Sequence, residues 1–178
     1  MKDELKDYLS SGREWLWMVT IVAAAIFLIQ GVGILKGNGD NWFGFIFFVS
    51  VFLLSRLPDL LFASFLKKAK AEGIYELAKK DFESAVSLVE DRVRLGKNYI
   101  FSKGKSRLLK YEDIVQVYQY VHKTNFIENE RALMYVDING RAHKLCALKL
   151  RGASDGDAMK VIKIIATKNP NVKIGYDN

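Results

Sequence analysis

The stretch Trp15 to Leu35, WLWMVTIVAAAIFLIQGVGIL, carries no charge, and its only strongly polar side chains are Thr20 and Gln30. At 1.5 Å per residue, a helix of that length reaches about 31 Å, the thickness of bilayer hydrocarbon. A helix satisfies its own backbone, so such a segment predicts a membrane span. A second apolar run starts at Trp42, after the polar link KGNGDN at 36–41. Its charge-free part ends at Ser55 and would cover only about 21 Å, but extended to Leu66 it covers about 37 Å and can cross with tilt.

Arg56, Pro58 and Asp59 interrupt that second run. Arg56 and Asp59, three residues apart, are neighbours on a helix surface and can neutralise one another. The long Arg56 stem lets its head reach the headgroup layer, so the pair is expected to mark a membrane boundary. Pro58 removes a backbone donor and predicts a kink. The competing reading is a small transport or channel component in which Arg56 and Asp59 face a pathway. That reading requires a homo-oligomer, because two helices cannot enclose a pore.

Lys and Arg near the span ends set orientation. The link between the runs has Lys36, whereas Lys67, Lys68, Lys70, Lys79 and Lys80 follow the second run and Lys2, Lys6 and Arg13 precede the first. Both termini are therefore expected on the cytoplasmic side of the cell membrane in a multi-pass protein. Trp15, Trp17 and Trp42 fall at span ends, where indoles prefer to sit. A cleaved signal peptide is disfavoured by Asp3, Glu4, Asp7 and Glu14 ahead of the apolar core. The single cysteine, Cys146, excludes an intramolecular disulfide and fits a reducing compartment.

The formal net charge is +7, and 22 of the 27 basic residues but only 14 of the 20 acidic ones lie beyond residue 66. Anionic lipid on the inner membrane face attracts such a domain by about 1 kcal/mol per basic group near the surface. No helix-turn-helix, finger or aromatic RNA-binding motif points to nucleic acid.

Residues 67–90 read as an amphipathic linker helix, with Ile74, Leu77, Ala78, Phe82, Ala85, Val86 and Val89 near a 3.6-residue period and Gly73 at a bend. From 91 onward, short branched and aromatic runs alternate with turn signals. Strands are expected at 92–95, 98–102, 106–111, 114–123, 132–138 and 141–149. Asn139-Gly140 is the strongest hairpin signal among them. Ser154 and Asp157 predict the start of a last helix with Ala158, Val161, Ile162 and Ile165 as its apolar stripe, stopped by Asn169-Pro170. Val172, Ile174 and Tyr176 alternate in the tail, which either docks as a further strand or stays loose.

The expected fold class is a membrane α-helical hairpin (15–66), preceded by a cytoplasmic segment (1–14), followed by the linker helix (67–90) and an α+β domain (91–178). In that domain a curved antiparallel sheet is capped by a C-terminal helix. The stretch RVRLGKNYIFSKGKSRLLKYEDIVQVYQY, with Asp113, Ile114 and Val117 as an acidic-Ile-x-x-Val step, resembles bacterial pleckstrin-homology-like domains over about residues 90–168. The resemblance implies a non-enzymatic binding or scaffolding role. In eukaryotic relatives, basic residues around an early hairpin hold inositol phosphates, and Lys97, Lys103, Lys105, Arg107 and Lys110 occupy a comparable region here.

Three motifs fail on chemistry. SKGKS at 102–106 has Tyr99 where a P-loop needs its first glycine and lies between strands. Gly31-Val-Gly33 lacks a third glycine and lies within the first span. His143 and Cys146, three apart on a strand, point to opposite faces and cannot form a nucleophile-base pair. One cysteine with His122 and His143 on separate strands is a poor supply for a metal. No cofactor is expected. The sequence thus points to an interaction module at the inner membrane face, binding anionic lipid or, through a sheet edge or the loop near Asn125 to Glu130, a protein partner.

Overall fold

The structure is a computed structural model that describes residues 3–12, 14–35, 42–105, 107–124, 127–149 and 155–175. The link at 36–41, Ser106, Asn125, Ser154 and Tyr176 lie outside the described residues, as do the side chains of Gln30 and Trp42. Five helices and eight strands are seen in that range.

A short helix α1 (Glu4–Ser10) precedes two long ones, α2 (Glu14–Leu35) and α3 (Trp42–Ala71). The long helices pack side by side and antiparallel. Thr20 Oγ1 meets Ser55 Oγ at 3.0 Å, and the Arg56 guanidinium lies 4.3 Å from the Trp17 ring centre. One hydroxyl proton bridges the pair and the other goes back to its own helix, to the carbonyl of Leu16 or Phe52, so both oxygens have a partner. Outside that contact the pair presents Met18, Ile21, Leu28, Ile29, Ile46, Phe47, Leu53 and Leu54 outward. Within α3, Val49–Ala71 is long and apolar enough to cross a membrane. Pro58 lies inside α3, and the helix continues through it.

The boundary expected at Leu66 falls inside a continuous helix. Past Arg56, α3 runs fifteen more residues, about 22 Å, and packs Phe62, Phe65, Leu66 and Ala69 against α1, α4 (Ile74–Glu83) and β3. The single linker helix expected over 67–90 is also corrected. Gly73, at φ +69°, separates α3 from α4, and Val86–Leu88 form strand β1 instead of a last helical turn. The apolar spacing misled because α4 buries Tyr75, Ala78, Asp81 and Phe82, leaving Leu77 and Val86 exposed. Positions 75, 78 and 82 also satisfy helical spacing, and tertiary contacts choose between the two stripes.

The strands form two sheets. The first has β2 (Val93–Leu95) and β3 (Tyr99–Ser102) flanked by β1 and β4 (Leu109–Lys110), all antiparallel. A 3-10 turn at Tyr111–Asp113 leads into β5 (Ile114–Thr124), β6 (Ile127–Asp137) and β7 (Ala142–Ala147), which run as an antiparallel meander. The tail docks as β8 (Lys173–Ile174), parallel to β5. Four of the six expected strands lie within two residues of the observed ones, and the one expected at 106–111 shortens to Leu109–Lys110. The one expected at 132–138 starts five residues earlier, so 127–130 of the loop expected near Asn125 to Glu130 are strand.

Between the sheets lies the main core, closed by α5 (Asp155–Lys168). Val93, Leu95 and Ile100 face Ile114, Val117, Leu133, Tyr135 and Leu145 there. The expected stripe of Ala158, Val161, Ile162 and Ile165 is buried in full. Asn169 ends α5 and ties it down, its Nδ2 donating to the carbonyls of Tyr111 and Ile114 at 2.9 and 2.8 Å.

Helix α1 belongs to this domain although two long helices separate it in sequence. Leu5, Tyr8 and Leu9 are buried against Phe82, Phe101 and the end of α3. The Tyr75 hydroxyl donates to Asp3 Oδ2 at 2.8 Å and the Tyr8 hydroxyl to the Asp91 carbonyl at 3.0 Å.

Candidate functional site

The basic residues expected to bind an anion come from three segments, the β2–β3 turn, the β3–β4 connection and β4, and separate into two groups. The β3–β4 turn carries Lys103 and Lys105. Its Gly104 has φ +72°, and a Cβ there would lie 2.6 Å from the Ser11 carbonyl oxygen. Only glycine lets the turn approach the end of α1 so closely. The Gly104 N–H donates to the Tyr8 carbonyl at 3.1 Å and the Lys103 N–H to the Arg92 carbonyl at 2.9 Å.

This arrangement bounds a cleft of about 450 Å³ lined by Arg92, Lys103, Lys105 and Lys144, with Ser11 and Gly12 on its rim. Ser11 and Gly12 are the residues that lead from α1 towards α2. Arg92 is fixed by its Nη1, which donates to the Ala147 carbonyl at 2.8 Å. Val89, Glu90 and Asp91, just before it, all have positive φ, at 53°, 56° and 60°. Left-handed backbone is costly for a β-branched residue. It is held here by the burial of Val89 and by the Asp91 carboxylate, which accepts from Arg94 Nε at 2.6 Å and Ser87 Oγ at 2.8 Å. The Arg94 hydrogen bond keeps Asp91 below the ordinary carboxylate range.

Lys105 and Lys144 also line a smaller recess of about 80 Å³ with Ser102, Arg107, Tyr135 and His143. Arg107 Nη1 donates to the Tyr135 hydroxyl at 2.6 Å, and His143 Nε2 lies 2.8 Å from Asp137 Oδ2. Three carboxylates partly offset the cleft cations: Glu90 lies 3.7 Å from Arg92, Asp91 4.0 Å from Lys103 and Glu130 2.5 Å from Lys144. Lys105 makes no ion pair among the described residues. The recess and cleft together offer several donors to an anion and few acceptors, the chemistry of a phosphate or carboxylate ligand.

Lys97 and Lys110 are elsewhere. They line a second cleft with Lys80, Lys168 and Tyr111 at the far end of the first sheet, where Lys110 pairs with Glu112 at 3.2 Å and Lys168 donates to the carbonyls of Gly96 and Lys97. Arg92 joins Lys103 through the β2–β3 pairing, whereas Lys144 joins the first group only through the contact between sheets, where the Ser102 hydroxyl bonds the Leu145 carbonyl. Local sequence gave no signal for Lys144.

Arg56 and Asp59 lie 3.9 Å apart beside the first turn of α2. They sit at one end of the helix pair, with Arg56 stacked on Trp17. Cys146 is buried, and burial pushes its thiol up to about 11. Roughly one molecule in a thousand is then a thiolate at pH 8. A thiol reagent at that pH is expected to leave the folded protein unmodified and to react at once after denaturation. Rapid modification of the native protein would contradict the burial. No cluster of three or more metal-ligating side chains occurs among the described residues.

The model of one family, a domain of unknown function (DUF6709), matches residues 61–178. No curated protein and no solved structure matches the chain.

Proposed function

The chain belongs to the DUF6709 family, whose matched region joins the last part of α3 to the whole domain, and on that footing we propose that it is a membrane-anchored, non-enzymatic module that binds anionic phospholipid headgroups. In this reading α2 and α3 both cross the cell membrane and the domain lies at its cytoplasmic face. The outward apolar surface of the helix pair supports this, since water tolerates contiguous exposed apolar patches poorly. The docking of α1 on the domain supports an even number of crossings: if both long helices span, residues 3–10 and the domain share one side. The predominance of Lys and Arg around those segments makes that side cytoplasmic.

One observation carries the ligand assignment. The cleft of Arg92, Lys103, Lys105 and Lys144 shares its rim with Ser11 and Gly12, so the cations gather where the chain passes into the helix pair. A headgroup at that depth meets them without leaving the bilayer. Of the five residues that the resemblance to pleckstrin-homology-like domains implies, Lys103 and Lys105 line this cleft and Arg107 the adjoining recess, while Lys97 and Lys110 do not.

The test is lipid retention. Full-length protein in micelles with equal phosphatidylglycerol and phosphatidylcholine is expected to retain the anionic lipid preferentially, as read by mass spectrometry. Reversing Lys103, Lys105 and Lys144 to Glu should cut that preference on the order of a hundredfold or more, at about 1 kcal/mol per charge. Lys97→Glu with Lys110→Glu should leave it intact. Equal retention of both lipids by the parent protein would overturn the assignment and leave a protein partner at a sheet edge.

A further inference from the structure

Strands β5 and β6 outrun their neighbours. β7 pairs with β6 only from Ala132 to Val136, and β8 pairs with β5 only at Gln116 and Val117. Among the described residues, 122–124 and 127–130 therefore pair only with each other, since the Leu148 N–H takes the Arg131 carbonyl. They form a two-stranded arm reaching about 10 Å beyond the sheet.

The register fixes where the arm points. Tyr120 pairs with Ala132, and Ala132 with Ala147, so the arm starts level with Ala147. That residue lines the cleft beside Ser11 and Gly12 and is held there by Arg92. The opposite end of the same strands is tied to the far end of the first sheet: the Ile138 N–H donates to the Asp113 carbonyl, and Tyr111 in the same turn donates to the Gly96 carbonyl. The arm thus projects on the side where the chain runs into α2. From Glu14 to Trp17 α2 rises about 5 Å, so the arm is long enough to reach the depth of Trp17 and Arg56.

Its surface suits that depth. Ile127 is 67% exposed, and Val121 and Tyr120 are also exposed. An isolated hairpin with such a surface is marginal in water. The arm's carboxylates are matched, Glu128 by Lys123 at 3.7 Å and Arg131 at 3.9 Å, and Glu130 by Lys144. No unopposed acid would face anionic headgroups. Among the described residues, backbone N–H and C=O groups on the outer flanks of 122–124 and 127–130 have no strand partner, which bars the arm from the hydrocarbon and limits it to the interface.

We infer that the β5–β6 arm is a membrane-interface anchor, lying in the headgroup layer beside the helix pair with Ile127 at the acyl boundary. This rests on the reading of α2 and α3 as spans. It adds a second attachment point, which fixes the domain's tilt and presents the basic cleft to the lipid.

The experiment separates the two claims. Full-length protein with Ile127→Cys carries an environment-sensitive fluorophore in vesicles of phosphatidylcholine and phosphatidylglycerol, with and without brominated acyl chains. Native Cys146 is buried, and protein without the added cysteine, treated alike, is expected to take up no label. The three tryptophans, Trp15, Trp17 and Trp42, all lie in the helix pair, so their quenching by bromine reports the spans independently. Loss of emission at both the tryptophans and Ile127, with none for a label at Ile138→Cys on the opposite end, is the expected result. Val121→Cys should behave like Ile127→Cys and guards against a local defect of one variant. Quenched tryptophans with unquenched labels at 127 and 121 would overturn the arm while keeping the spans. Unquenched tryptophans would refute the spans and, with them, this inference.

Discussion

Leu9→Asp is expected to release α1 from the domain and to destabilise it by more than about 4 kcal/mol. A helix of seven residues has no stability of its own, so α1 exists because Leu5, Tyr8 and Leu9 are buried. Leu9 is 0% exposed among Phe82, Phe101 and the end of α3. Truncating a leucine at such a site costs about 2–5 kcal/mol, and a carboxylate there also lacks a buried counter-charge. The release should be visible as rapid tryptic cleavage after Lys6, which is already exposed, and as a lower unfolding temperature. Lipid preference should fall as well, because Gly104 and the Lys103–Lys105 turn lean on the last residues of α1. Unchanged proteolysis and melting would show that α1 is not part of the domain. Leu9→Met, which conserves volume, should be nearly silent.

Asp81→Ala is expected to cost about 2–4 kcal/mol. Its carboxylate, buried at the end of α4, accepts three successive backbone N–H groups, from Lys97 at 2.5 Å, Asn98 at 2.9 Å and Tyr99 at 2.8 Å. The same turn is held from the other side through its carbonyls, with Tyr111 and Lys168 donating to Gly96. Removing the carboxylate strands at least the buried Tyr99 N–H and unpins the start of β3. Asp81→Asn keeps one acceptor oxygen and should cost less. Gly96→Ala should resemble Asp81→Ala, since its Cβ would fall 2.3 Å from Asp81 Oδ2. Thermal unfolding of the three variants checks the order, and an Asp81→Ala protein as stable as the parent would show that the turn needs no such clamp.

Several parts of the architecture were legible in the residues because they rest on local chemistry. The absence of charge from Trp15 to Leu35 leaves few environments for a helix of that length. Turn signals at Gly96, Lys103-Gly104 and Asn139-Gly140 separated the strands close to where they lie, since backbone conformation at a turn is a near-neighbour matter. The stripe of Ala158, Val161, Ile162 and Ile165 could face only one way on a helix whose other sides are largely polar. Asp81 shows the limit: in sequence it is one charged residue among lysines on a helix, and its role depends on a turn sixteen residues later.

The sequence by itself determined where apolar length, charge and turns fall along the chain, because those properties belong to residues and their immediate neighbours. Only the tertiary structure decided that α1 closes on the domain across two long helices, that α4 buries Tyr75 and Asp81 instead of Leu77, and that Lys144 joins Lys103 and Lys105 while Lys97 and Lys110 part from them. Each is a choice between faces or partners of similar local cost, settled by long-range burial and backbone hydrogen bonds between segments distant in sequence.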